Sequence, residues 1–164
     1  MGAAVWIVLG CSRLFTTSLL YLYVLGHELT HVLAVYCSRG SVSKFNASLD
    51  GGYIQTDKNN LFISLSPYFL PLWGMLWGLV WGIVHIFWPT ITCEALLYSG
   101  LGFWWCFHLF WTAWIIPKDQ PDLAGNGTFF SLILVYFANL LLFLGLLRLF
   151  NAVSINRFLA DCLH

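Results

Sequence analysis

Four long apolar segments constrain the fold of this chain more than any other feature. They cover residues 13–38, 61–88, 95–116 and 128–150, and each provides the roughly 20 apolar residues that a helix needs to cross a bilayer. Only 9% of the 164 residues are charged, against about a quarter in soluble domains. The sequence therefore predicts an all-α polytopic membrane protein with about four transmembrane helices, forming a single domain over residues 1–164.

Charge and cysteine usage limit the possible partners. The seven Lys and Arg residues are scattered, so the chain lacks the basic patch that nucleic-acid binding requires. The five Cys residues include no CxxC pair, which disfavours a disulfide framework or a cysteine metal site. The partner that composition does predict is the lipid bilayer.

The main polar stretch, residues 39–60, predicts a β-hairpin beside the membrane at about 42–56. Apolar and polar residues alternate from Val42 to Leu49, as in a strand with one buried face. Asp50-Gly51-Gly52 is a turn signal, and Tyr53–Thr56 can form the return strand. A solvated loop is the alternative. A hairpin would offer an edge that can pair with an extended peptide.

The second apolar segment contains two prolines, Pro67 and Pro71, and is expected to be broken early. Proline removes a backbone donor and disrupts the helical ladder. Since hydrocarbon cannot satisfy the freed groups, the stretch with Ser64 and Ser66 should be buried in protein or line a wet cavity.

Further along this segment, Gly74, Gly78 and Gly82 form GxxxG repeats. Small residues at this spacing let another helix approach closely. The repeats predict a helix-packing face, and homo-oligomerisation through it is possible.

The third segment carries His108 and the fourth carries Asn139 as its only strongly polar interior residue. A polar, helix-breaking connection at 117–127 joins them. The N-terminal residues 2–10 should begin or pack on the first span, and residues 151–164 should form an amphipathic tail at the interface.

Four spans place the hairpin and the 117–127 loop on the same side of the membrane. This side has four basic residues against three on the other, namely Arg39, Lys44, Lys58 and Lys118 against Arg13, Arg148 and Arg157. By the positive-inside rule, the hairpin and the loop are predicted to be cytoplasmic.

The sequence Gly26-His27-Glu28-Leu29-Thr30-His31 lies inside the first apolar segment. H-E-x-x-H on a helix puts two imidazoles one turn apart on one face. His27 and His31 can then bind zinc (Zn²⁺), and Glu28 can act as general base on a zinc-bound water. Ionisable residues inside a span are costly and usually functional, so this motif predicts a metal site.

Two histidines leave zinc at least one protein ligand short. His108 lies about 13 Å from the membrane end of its helix, which matches the depth of the motif; it can equally be a core histidine bonded to a neighbouring helix. The other candidates are the loop residues Asp119 and Asp122, the hairpin residue Asp50 and, less favourably placed, His85 and Glu94.

The motif, the hairpin and an aspartate near a later span together resemble the site-2 protease family of intramembrane zinc metalloproteases, especially its small bacterial members. The resemblance covers Gly26–Ser38, Asp50–Pro71 and Gln120–Ser131. It implies zinc held by His27, His31 and one aspartate, with Glu28 as base and a hairpin that presents the substrate as an added strand. On this resemblance Asp122 is the favoured third ligand and His108 the alternative. The family's aspartate sits in N-P-x-x-D-G or L-D-G, whereas Asp122 follows Gln-Pro.

The expected function is therefore zinc-dependent hydrolysis of membrane-embedded or membrane-proximal peptide substrates. The alternative is an inactive membrane scaffold or metal-handling protein that keeps the zinc site. A protease whose third ligand is Glu94 is disfavoured by the position of that residue in a short turn. A transporter should show more spans or an internal repeat.

Overall fold

The computed structural model describes residues 13–90 and 94–149. The predictions for residues 2–10 and 151–164 lie outside these ranges. The described part contains one two-stranded sheet and six helices. The elements are α1 (Arg13–Cys37), β1 (Val42–Ser48), β2 (Gly51–Thr56), α2 (Leu61–Phe69), α3 (Leu72–Phe87), α4 (Glu94–Ile115), α5 (Pro121–Ala124) and α6 (Thr128–Leu149).

Within residues 13–90 and 94–149, two helices, or three if a bent pair counts as one span, are long and apolar enough to cross a membrane. By length and composition, α1 and α6 qualify, and the bent pair α2–α3 makes a third if it is one broken span. Helix α4 has 22 residues but is not among the helices that are apolar enough to cross a membrane. The mostly helical architecture is confirmed, and two helices long and apolar enough to span a membrane are compatible with a membrane protein, while four spans stay a prediction.

The predicted break in the second apolar segment is confirmed. Helices α2 and α3 meet at an angle of 72°, and the break lies at Leu70 and Pro71, with Pro67 inside α2. The Leu72 N–H donates to the Leu70 carbonyl at 2.9 Å instead of continuing the helical ladder. As predicted, this region is buried: Ser64 and Ser66 are 5% and 0% exposed.

The predicted hairpin is also confirmed, with its turn one residue earlier than expected. Ser48 pairs with Gly51 across a two-residue turn, and the φ angle of +133° at Gly51 explains the glycine there. Val42 and Ile54 pack the hairpin onto a cluster of Ala34, Val35 and Ile63, so that one face of the sheet is held against α1 and α2.

The glycine face of α3 packs partly within the chain. A Cβ on Gly74 would lie 3.5 Å from Trp104 of α4, and one on Gly78 would lie 3.9 Å from Leu101, whereas nothing is within 4 Å of Gly82. Two of the three glycines therefore serve α3–α4 packing. Homo-oligomerisation through this face stays a prediction.

Candidate metal centre

The structure brings His27, His31 and Asp122 together, with their ligand atoms all within 4.8 Å of one another. The two histidines project from the same face of α1, and both are buried. The Asp122 Oδ2 atom lies 3.2 Å from His31 Nε2 and 3.7 Å from His27 Nε2. Among the residues described, these three form the group whose donors converge closely enough to hold a metal ion.

The short helix α5 delivers Asp122 to the histidines. Pro121 starts this helix, where its missing N–H costs nothing. Leu123, at 1% exposure, anchors it in a cluster with Leu65, Tyr68 and Val135. Ser131 Oγ donates to the Leu123 carbonyl at 3.1 Å. With Leu123 held in the core, the neighbouring carboxylate is turned towards α1.

The charge state of Asp122 suits a metal ligand. Burial raises the pKa of its carboxyl, but the hydrogen bonds and charges of His27 and His31 outweigh burial and hold that pKa well below its usual range. Asp122 is therefore an anion at neutral pH, as metal binding by a carboxyl group requires.

His31 is oriented by a backbone carbonyl that Pro67 leaves free. In a regular helix the N–H of residue 67 would donate to the Ile63 carbonyl, but proline has no N–H. His31 Nδ1 lies 2.8 Å from that oxygen instead. Because Nδ1 donates to Ile63, Nε2 is the nitrogen that faces Asp122 and that can give up its proton to bind a metal, which is the usual arrangement of a ligating histidine.

The chemistry of the three donors, and the two separations that involve Asp122, are compatible with a zinc ion. Two imidazoles and one carboxylate are a common ligand set, and bonds of about 2.0–2.1 Å in tetrahedral geometry place ligand atoms about 3.3 Å apart. The observed separations of 3.2 and 3.7 Å from Asp122 Oδ2 are close to this value. The geometry would also suit other divalent transition metals.

Glu28 lies beside this group and against the hairpin. Its side chain is 6% exposed. A Cβ added to Gly52 would lie 2.7 Å from the Glu28 Oε1 atom and would overlap its Cγ. The strand β2 can approach Glu28 this closely only because residue 52 has no side chain.

A cavity of about 1030 Å³ opens between the metal-binding group and the hairpin. Its walls include His27, Glu28, His31 and Asp122, and on the opposite side every residue from Leu49 to Thr56. The cavity is therefore bounded by the predicted metal ligands and by the whole length of β2.

The other candidate ligands lie elsewhere. His108 is buried and lines a separate cavity of about 20 Å³, and it does not belong to the converging group. Asp50 lines the large cavity at the exposed hairpin tip. Asp119 is exposed in the turn before α5, and His85 and Glu94 are exposed on α3 and α4.

Two residues beside the centre, Gly52 and Tyr68, are not among the site residues predicted from the sequence, which assigns Gly52 only to the hairpin turn. The sequence contains a weak signal for Gly52. The turn needs only one of the two consecutive glycines, so the second glycine calls for another reason. Tyr68 has no comparable signal, because its role depends on contacts with residues more than fifty positions away.

Scans against protein-family models, curated proteins and solved structures gave no match to this chain. The fold is mostly helical, with helices long and apolar enough to span a membrane. The site is a His–His–Asp group that could hold a metal ion. The resemblance to site-2 proteases rests on the sequence motifs alone.

Proposed function

We propose that this protein is an intramembrane zinc metalloprotease of the site-2 protease type, cleaving membrane-embedded or membrane-proximal peptides. One observation carries the proposal: the Glu28 carboxylate lies beside three converging metal donors and faces a cavity lined by a β-strand. A protein that only stored or handled metal would need neither the carboxylate nor the cavity. We further propose that α4 crosses the membrane, giving four spans, with the hairpin in the cytoplasm.

In this proposal His27, His31 and Asp122 hold zinc. When bound, zinc supplies Lewis acidity towards water and a peptide carbonyl. The buried backbone contact of His31 with Ile63 keeps one nitrogen available without rearrangement, so the site is largely preorganised.

Glu28 is the proposed general base. Its carboxylate takes a proton from the attacking water and passes it to the leaving amine nitrogen. The cavity beside it admits the water that hydrolysis consumes. Packing against Gly52 restricts the movement of the carboxylate, which lines the same cavity as the two histidines.

The hairpin is the proposed substrate platform. A transmembrane helix bonds all its own amides, so a substrate segment must unwind before attack. Strand β2 borders the cavity over its whole length, and an unwound segment added along it would exchange its lost helical bonds for strand pairing. This would hold the peptide across the face of the metal centre.

The test is cleavage of a membrane-tethered peptide by purified protein before and after metal removal. We expect the chelated protein to fall to the background rate and zinc to restore cleavage, because the proposed water activation depends on the metal. Product formation is followed by gel shift, with metal content measured on the same samples. Full cleavage by protein shown to be free of metal would overturn the proposal.

Gly52→Ala should separate metal binding from cleavage. The new Cβ would occupy space within 2.7 Å of the Glu28 carboxylate and displace either that side chain or the hairpin. We expect cleavage to fall by up to roughly 100-fold, the cost of misplacing a reacting group by about 1 Å, while zinc content is kept. Gly102→Ala, where the added Cβ meets nothing within 4 Å, is the control. Equal cleavage by the two variants would show that the close approach is unimportant.

A further inference from the structure

Tyr68 at the end of α2 contacts two of the three proposed zinc ligands. Its side chain is fully buried at 0% exposure. We propose that Tyr68 is a positioning residue of the metal centre, which sets the orientation of Asp122 and His27 and thereby the metal affinity and coordination geometry. This inference rests on the proposed zinc site.

The hydroxyl of Tyr68 lies within hydrogen-bonding distance of the Asp122 carboxylate. It lies 3.3 Å from Asp122 Oδ2 and 3.3 Å from Gln120 Oε1. Gln120 Nε2 donates to the Lys118 carbonyl at 2.8 Å, which turns Oε1 towards the tyrosine. A phenol has one proton to donate, and Oδ2 is the oxygen nearest both imidazoles. Donation to Oδ2 restricts rotation of the very oxygen that faces the metal position.

The ring of Tyr68 packs against the imidazole of His27. The two rings meet edge to face, with centroids 5.1 Å apart and planes at 90°, a favourable aromatic arrangement. His27 Nδ1 has no hydrogen-bond partner within the described parts of the chain. Unlike His31, which a backbone carbonyl orients, His27 is therefore oriented mainly by packing, and Tyr68 is one of its packing surfaces.

The helix break fixes the backbone of Tyr68. In a continuous helix its carbonyl would accept from the Leu72 N–H, but that N–H bonds to Leu70. The free carbonyl accepts from Asn139 Nδ2 of α6 at 2.9 Å. This bond to α6 therefore fixes the backbone of the residue whose side chain contacts Asp122 and His27.

The test variant is Tyr68→Phe, which keeps the ring and removes only the hydroxyl. Outer-shell partners of metal ligands typically contribute 10- to 100-fold to affinity, so we expect zinc affinity to fall roughly 10- to 100-fold in chelator competition. The visible spectrum of the Co²⁺-loaded protein should also change, because the carboxylate geometry changes. Tyr136→Phe, on an exposed tyrosine of α6, is the matched control and should keep both properties.

The metal-free proteins distinguish positioning from a general structural role. We expect their unfolding midpoints in detergent to differ by no more than about 4 °C, as for the loss of one hydrogen bond in a chain of this size. A larger fall, an unchanged Co²⁺ spectrum, or zinc affinity within twofold of the unsubstituted protein would overturn the inference. If the unsubstituted protein binds zinc tightly and Tyr68→Phe does too, only this inference fails; if the unsubstituted protein binds no zinc, the proposed function fails with it.

Discussion

Glu28→Gln is expected to lower cleavage of a membrane-tethered peptide by about 10²- to 10⁴-fold, the usual contribution of a positioned general base. Glutamine has nearly the same shape as glutamate but cannot accept the proton of the attacking water. Because Glu28 lies outside the converging donor group, zinc content should be unchanged. The measurement pairs the rate of product formation with metal analysis of the same preparation.

The control for this variant is Glu94→Gln. Glu94 is the only other glutamate of the chain and is exposed at the start of α4, so its replacement should leave cleavage and zinc content unchanged. Glu28→Gln protein that cleaves as fast as unsubstituted protein would contradict the proposed mechanism. A zinc-loaded unsubstituted protein with no cleavage of any tethered peptide would instead favour the scaffold or metal-handling alternative.

The features that could be predicted from the sequence depend on local patterns. H-E-x-x-H places His27 and His31 on one face of any helix, because the spacing alone determines the angle between them. Strand alternation and the Asp50–Gly52 turn signal similarly identify the hairpin. Proline chemistry predicts the break near Pro71. Each of these inferences needs only a few consecutive residues.

The third ligand could not be chosen in this way. His108 matches the depth of the motif along a straight helix, but depth does not fix the direction in which a helix turns its side chains. In the structure His108 is buried beside a separate small cavity and does not belong to the converging donor group. Asp122 reaches the histidines because Leu123 anchors α5 in a core formed with α2 and α6. That anchor depends on the tertiary packing of three segments, which no local pattern encodes.

The helix break and the metal centre are physically linked. A membrane interior requires every freed backbone carbonyl to find a donor. The carbonyl freed by Pro67 accepts from His31, and the Tyr68 carbonyl, freed at the break, accepts from Asn139. Two of the carbonyls that lack helical partners around this break therefore accept from side chains that hold or surround the proposed zinc site. The proline that disrupts α2 therefore also leaves a carbonyl that orients His31, one of the proposed zinc ligands.

Asp122→Asn is the variant that decides the ligand set, and we expect it to weaken zinc binding by more than about 100-fold, beyond the usual effect of an outer-shell residue. Asparagine keeps the size of the side chain and an oxygen that can accept from Tyr68. It removes the negative charge that the two imidazoles stabilise at 3.2 and 3.7 Å. Affinity is measured by chelator competition, and cleavage should fall in parallel.

Asp119→Asn is the matched control, since it makes the same chemical change three residues away. Asp119 is exposed and has a φ angle of +39°, a backbone conformation that asparagine also tolerates. We therefore expect this variant to bind zinc as the unsubstituted protein does. If Asp122→Asn protein bound zinc tightly and His108→Leu protein did not, the third ligand would be His108. Because His108 does not belong to the converging donor group, that result would require its side chain or α4 to move when metal binds.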